Sequence, residues 1–126
     1  MEASTQRSAA IADMNLGELQ ARALRASGLL KAMANPVRLL VLCQLAEGEK
    51  SVGELERVVD VSQSALSQHL ALLRQRGIVK FRREGQTLYY SLAGPEAPTL
   101  LAALYAVYCS NVRRAAARRR GRRKTA

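Results

Sequence analysis

Two thiols and one imidazole carry the softest chemistry in this 126-residue chain: Cys43, Cys109 and His69. Zinc ordinarily takes four nitrogen, sulfur or oxygen ligands, so this inventory supplies a tetrahedral site poorly, and no metal ligand is assigned. The cysteines stand 66 positions apart (109 − 43). Free cysteine packs like a small hydrophobe, so one reading is a pair of inert core thiols. The other is a reactive pair, which requires thiolate character and access to an oxidant. Arg113 and Arg114, just beyond Cys109, would favour its thiolate. A sole histidine without a nucleophile and acid beside it forms no catalytic constellation, so neither an enzyme nor a cofactor is expected.

A second group of residues offers recognition rather than reaction. In SQSALSQHLALLRQRG, positions 62–77, Ala65, Leu66, Leu70 and Leu73 fall on one helical side. Gln63, Ser64, Ser67 and Gln68 follow i, i+1, i+4, i+5 spacing and share another face near the helix start. Such side chains are short, uncharged and rich in donors and acceptors. Gln pairs with adenine through N6 and N7, Ser bonds several bases, and small residues let a helix approach the floor of the major groove. In helix-turn-helix docking the N-terminal end of the second helix contacts base edges. His69 lies beside this face and is expected to pack or touch phosphate. Arg82, Arg83 and Gln86 flank a hairpin tip, where they would touch phosphate or the minor groove.

The elements that must position these residues follow from local signals. Leu16 to Met33 keep helical spacing of apolar residues, with Gly28 as a weak point. Asn35-Pro36 restarts the chain as cap and first helical residue. The helix from about Pro36 to Glu47 is apolar on most sides and is expected to be the buried centre, Cys43 included, ending at Gly48. Ser51 and Glu54 form a capping-box pattern for a short helix to about Val59. Ser62 caps the reading helix and Gly77 stops it. Alternation through Val79 and Phe81, a turn at Glu84-Gly85-Gln86 and a return over Thr87–Leu92 predict a β-hairpin. After Gly94-Pro95 a last helix is expected from about Ala97 to Ala117. The order predicts a mainly α domain with a β-hairpin, a winged helix-turn-helix.

Charge is unevenly placed. The chain carries a formal +10, yet eight basic residues lie between Arg113 and Lys124, leaving 12 basic and 10 acidic residues over 1–112. The expected organisation is a flexible N-terminus over 1–14, one domain over 15–112 and a basic tail over 113–126. That tail is either a solvated segment or a non-specific phosphate contact. No apolar run approaches the roughly 20 residues that span a bilayer, and the N-terminus has no signal pattern. A cytoplasmic, nucleoid-associated protein without a membrane partner is the expectation.

The stretch LLKAMANPVRLLVLCQLAEGEKSVGELERVVDVSQSALSQHLALLRQRGIVKFRREGQTLYYSL resembles the ArsR/SmtB family of winged-helix repressors. The matching motifs are A-N-P-x-R-L, S-x-x-x-L-S-x-H-L-x-x-L-R and R-x-E-G-x-x-x-Y-Y-S-L, within a similarity over roughly residues 16–109. The resemblance implies a homodimer built through the first and last helices, bound to double-stranded operator DNA and released by an inducer. The family's common metal-sensing patterns are not matched: SVGELERVV has no cysteine, and TLLAALYAVYCSNV has neither histidine nor carboxylate. A cysteine at this place in the second helix, paired with one late in the last, resembles the persulfide-sensing, SqrR/BigR-like branch. That implies a repressor whose operator affinity falls when Cys43 and Cys109 react with persulfides to form a sulfur bridge. Metal or metalloid response, or a constitutive DNA-binding protein with inert cysteines, are the alternatives.

Overall fold

The computed structural model describes residues 12–109. The elements are α1 (Leu16–Met33), α2 (Pro36–Glu47), β1 (Lys50–Ser51), α3 (Val52–Val58), α4 (Gln63–Gln75), β2 (Val79–Glu84), β3 (Thr87–Leu92) and α5 (Glu96–Tyr108). Residues 1–11, most of the expected N-terminal segment, and the basic tail 113–126 lie outside the described residues.

α1, α2, α3 and α4 each start where a side chain satisfies orphan backbone donors, whereas α5 starts after Pro95 without a side-chain cap. Asn15 Oδ1 accepts from the Glu18 amide at 2.8 Å. Asn35 Oδ1 accepts from both Val37 and Arg38, at 3.0 and 3.1 Å, with Pro36 at the first helical position. Ser51 and Glu54 complete a reciprocal capping box. Ser62 Oγ accepts from the Ala65 amide at 3.1 Å. Gly28 does not interrupt α1, which runs unbroken to Met33. Between α1 and α2 the chain turns by 97° at the Ala34-Asn35 break.

The core lies where α2, α3, α4, the hairpin and the start of α5 converge. Val41, Leu42, Leu55, Leu66, Leu70 and Leu73 are its most enclosed side chains. The expectation that α2 is buried on most sides needs correction. Val41, Leu42 and Leu45 are buried, but Leu40 and Cys43 are exposed. The reason is helical geometry: one residue turns the side chain by roughly 100°. Cys43 therefore leaves the core that Leu42 occupies.

The sheet has three antiparallel strands in the order β1-β3-β2. β2 and β3 pair in register from Val79↔Leu92 to Glu84↔Thr87, leaving Gly85 and Gln86 as a two-residue loop. Gly85 has φ 63°, and among the described residues none other than glycine has positive φ, as a type II′ turn demands. The two-residue β1 was not expected; it forms because Lys50 and Ser51 pair with Tyr90 and Tyr89. α4 ends with Arg76 as its cap and Gly77 next, at φ 71°. α5 starts at Glu96; the part expected beyond Cys109 lies outside the described residues.

Candidate DNA-reading face and thiol pair

α3, the connector Val59–Ser62 and α4 form the helix-turn-helix. Buried Leu55 and Val59 hold the first helix, and Leu66, Leu70 and Leu73 hold the second. This leaves Gln63, Ser64, Ser67 and Gln68 exposed together on the outer face of α4. None of the four side chains hydrogen-bonds within the described residues, so their donors and acceptors are available to an outside partner. The face carries no carboxylate to repel phosphate.

His69 sits half-buried at the edge of that face. Its Nδ1 lies 3.4 Å from Nη1 of Arg38 on α2. Arginine offers only donors, so a hydrogen bond between the two has Nδ1 as its acceptor. Arg38 also donates from Nε to the Ala32 carbonyl at 2.6 Å and from Nη2 to that of Lys31 at 3.3 Å. One side chain thus satisfies the C-terminal carbonyls of α1 and touches the reading helix. The N-P-x-R sequence contained Arg38, but nothing local announced that it would close this corner.

Arg82, Arg83 and Gln86 are all exposed on the hairpin. Arg82 is held closely. Its Nε donates to both Glu49 carboxylate oxygens, at 3.1 and 3.0 Å, and its Nη2 to Oε1 at 2.7 Å. Its Nη1 donates to Glu84 Oε2 at 2.8 Å, and its guanidinium lies 4.5 Å from the Tyr89 ring centroid. These contacts hold the Glu49 carboxyl below the usual carboxylate range. Glu49 was missed because it is 33 positions from Arg82 and meets it only in the fold.

The two thiols are free and exposed, Cys43 midway along α2 and Cys109 capping α5. The Cys109 amide donates to the Tyr105 carbonyl at 2.8 Å. Partial burial pushes the Cys43 thiol above its ordinary range, and the charge of Cys109 pushes it further. α2 and α5 pack against one another, so the fold carries the two thiols on adjoining helices of a single subunit. Among the described residues no three His, Cys, Asp or Glu side chains cluster as a metal site would require.

Two capped helices around a tight turn, an unspent polar face on the second and a hairpin beyond it define a winged helix-turn-helix DNA-binding protein. Comparison with known proteins agrees. The family model described as bacterial regulatory protein, arsR family, matches residues 35–80. The transcriptional activator HlyU of Vibrio cholerae is 49% identical over 98 residues, covering 78% of this chain and 91% of that protein. The crystal structure of the transcriptional repressor BigR from Xylella fastidiosa superposes with a TM-score of 0.70 at 42% identity, covering 77% of this chain and 99% of that one. The homodimeric winged helix-turn-helix DNA-binding domain of a possible ArsR-family regulator from Mycobacterium bovis gives a TM-score of 0.66 at 30% identity, covering 80% and 93%. The chain belongs to the arsR family of bacterial transcriptional regulators.

Proposed function

We propose that this chain is a homodimeric, cytoplasmic repressor whose affinity for operator DNA falls when persulfide joins Cys43 and Cys109 through added sulfur. The observation that carries the reading is the pair of exposed thiols on α2 and α5, two helices that pack against one another in one subunit. Gln63, Ser64, Ser67 and Gln68 read base edges, and His69, Arg83 and Gln86 lie against the backbone.

The chemistry balances without a further oxidant. A Cys109 thiolate attacks the outer sulfur of a persulfide R–S–SH, giving Cys109–S–SH and R–S⁻. That persulfide loses its proton and takes a second sulfur in the same way, giving Cys109–S–S–SH and another R–S⁻. A Cys43 thiolate then attacks the middle sulfur and expels HS⁻, leaving Cys109–S–S–S–Cys43. The sulfane sulfur of the persulfide is the electron acceptor. Cys43, the thiol whose burial disfavours the thiolate, is better suited to this last, intramolecular step.

The bridge would tie α2 to α5. α2 also bears Arg38 against His69 of the reading helix, so strain at Cys43 has a physical route to the DNA-reading face. Dimerisation through the first and last helices is supported by exposed apolar side chains on both, including Leu16, Leu24, Val107 and Tyr108, each more than 60% exposed in the single chain. The experiment is operator binding by the wild type, Cys43→Ser and Cys109→Ser before and after glutathione persulfide. Wild-type affinity is expected to fall about 5- to 150-fold, the usual allosteric range. Each variant should bind as the reduced wild type does and ignore the persulfide. Full induction in either variant would refute a required bridge, as would an intact mass that does not rise by whole sulfur atoms less two hydrogens.

A further inference from the structure

The wing presents two neighbouring arginines in opposite circumstances. We infer that Arg83 is the wing cation that meets the DNA backbone, whereas Arg82 is a positioning residue that fixes the hairpin against the corner between α2 and β1. The inference rests on the DNA-binding assignment and divides the labour within it.

Strand geometry separates the two side chains. Successive residues of a strand point to opposite faces, so Phe81 and Arg83 share one face of β2, and Lys80, Arg82 and Glu84 the other. Phe81 lies opposite Tyr90, ring centroids 5.8 Å apart. The Arg74 guanidinium of the reading helix lies 5.1 Å from the Phe81 centroid. The Phe81–Arg83 face is therefore the one turned toward α4, and a duplex seated on α4 meets that side of the wing. Arg83 is exposed and makes no hydrogen bond, ion pair or ring contact within the described residues.

Arg82 points away from that side. Its Nε, Nη1 and Nη2 are all engaged by Glu49 and Glu84, and the guanidinium carbon lies over the Tyr89 ring. A phosphate could take it only by displacing two carboxylates of the same sign as itself. The charges on this face, Lys80 and Arg82 against Glu49 and Glu84, sum to zero. Such a group has no surplus cation with which to release counterions from DNA. What it does have is reach: Glu49 lies just past Gly48, the C-cap of α2, so the fork ties the hairpin to the end of the core helix. Arginine's planar fork matches a carboxylate in a way lysine does not, so charge and fit can be tested apart.

The test uses a fluorescein-labelled duplex recovered from random-sequence DNA by the wild-type protein. Anisotropy titrations run between about 50 and 200 mM salt, the range over which phosphate contacts are most readily counted. Arg83→Ala is expected to flatten the log–log salt slope by about 0.9 for each wing. Arg82→Lys keeps the charge and loses the fork. It should weaken binding about two- to fivefold at every salt concentration with the slope unchanged. It should also speed amide exchange in β2 and β3. Glu49→Gln should add no further weakening in the Arg82→Lys background. The assignment is overturned if Arg82→Lys binds like the wild type, or if Arg82→Ala flattens the slope as much as Arg83→Ala. Failure of the wild type to select or bind any duplex would take down the DNA-binding assignment itself, and this inference with it.

Discussion

Replacing Arg38 by alanine removes three contacts at the 97° corner between α1 and α2. The largest cost is at Ala32. This residue is 3% exposed, and its carbonyl accepts a 2.6 Å bond from the guanidinium Nε. A hydrogen bond to a charged group contributes about 1.5–3 kcal/mol, and a shielded carbonyl left without a donor bears its desolvation cost. The Lys31 carbonyl is exposed and 3.3 Å away, so water replaces that bond at little cost. The His69 contact, at 3.4 Å, adds orientation of the reading helix more than energy. The expected loss is about 2–3 kcal/mol, or about 10–20 °C in Tm for a domain of this size. Urea unfolding followed by far-UV circular dichroism, at one fixed protein concentration, measures it. Arg38→Lys should fall between, because one ammonium cannot serve Ala32 and His69 together. A loss below about 0.5 kcal/mol for the alanine variant, or a lysine variant equal to wild type, would show that the carbonyl finds another donor and that Arg38 does not close the corner.

Other outcomes follow from the same geometry. Gln68→Ala should weaken operator binding by about 1–3 kcal/mol while leaving the urea midpoint in place, since the side chain is exposed; unchanged affinity would remove Gln68 from the reading face. Alkylation of Cys43 should have a pH midpoint above the ordinary thiol value, because burial first, and Cys109 second, disfavour its thiolate. In Cys109→Ser that midpoint should drop but stay raised, as read by mapping the alkylated mass; a midpoint at or below the ordinary value would contradict the packing. With the folded state holding the Cys43 proton more tightly, the associated stability is complete below the ordinary thiol value and is lost as pH rises through the folded one. Deleting residues 113–126 removes eight of the 20 basic residues and should flatten the salt dependence of DNA binding; an unaltered slope would mean that the tail touches no phosphate.

What could be read from the sequence was what is decided within a few residues. Asn35, Ser51 and Ser62 cap helices using donors two or three positions away, so their role is visible in the string itself. The exposed polar face of α4 was visible for the same reason: helical spacing alone gathers Gln63, Ser64, Ser67 and Gln68. The two-residue β1 has no periodicity of its own and exists only because β3 passes beside it. Glu49 looks like any surface carboxylate until the fold brings Arg82 to it from 33 residues away. The outward turn of Cys43 was hidden by its neighbours, since a run as apolar as LLVLCQL does not reveal which side of the helix the core takes.

That outward turn bears on how much chemistry the protein can tolerate. Val41 and Leu42, immediately before Cys43, have no exposed surface, so the interior there has no room to yield. Atoms added at the sulfur must grow toward solvent, the last helix or an associated subunit. The domain can thus accept a covalent mark while its interior stays intact, and the mark's bulk falls on the helices that a neighbouring copy would have to fit.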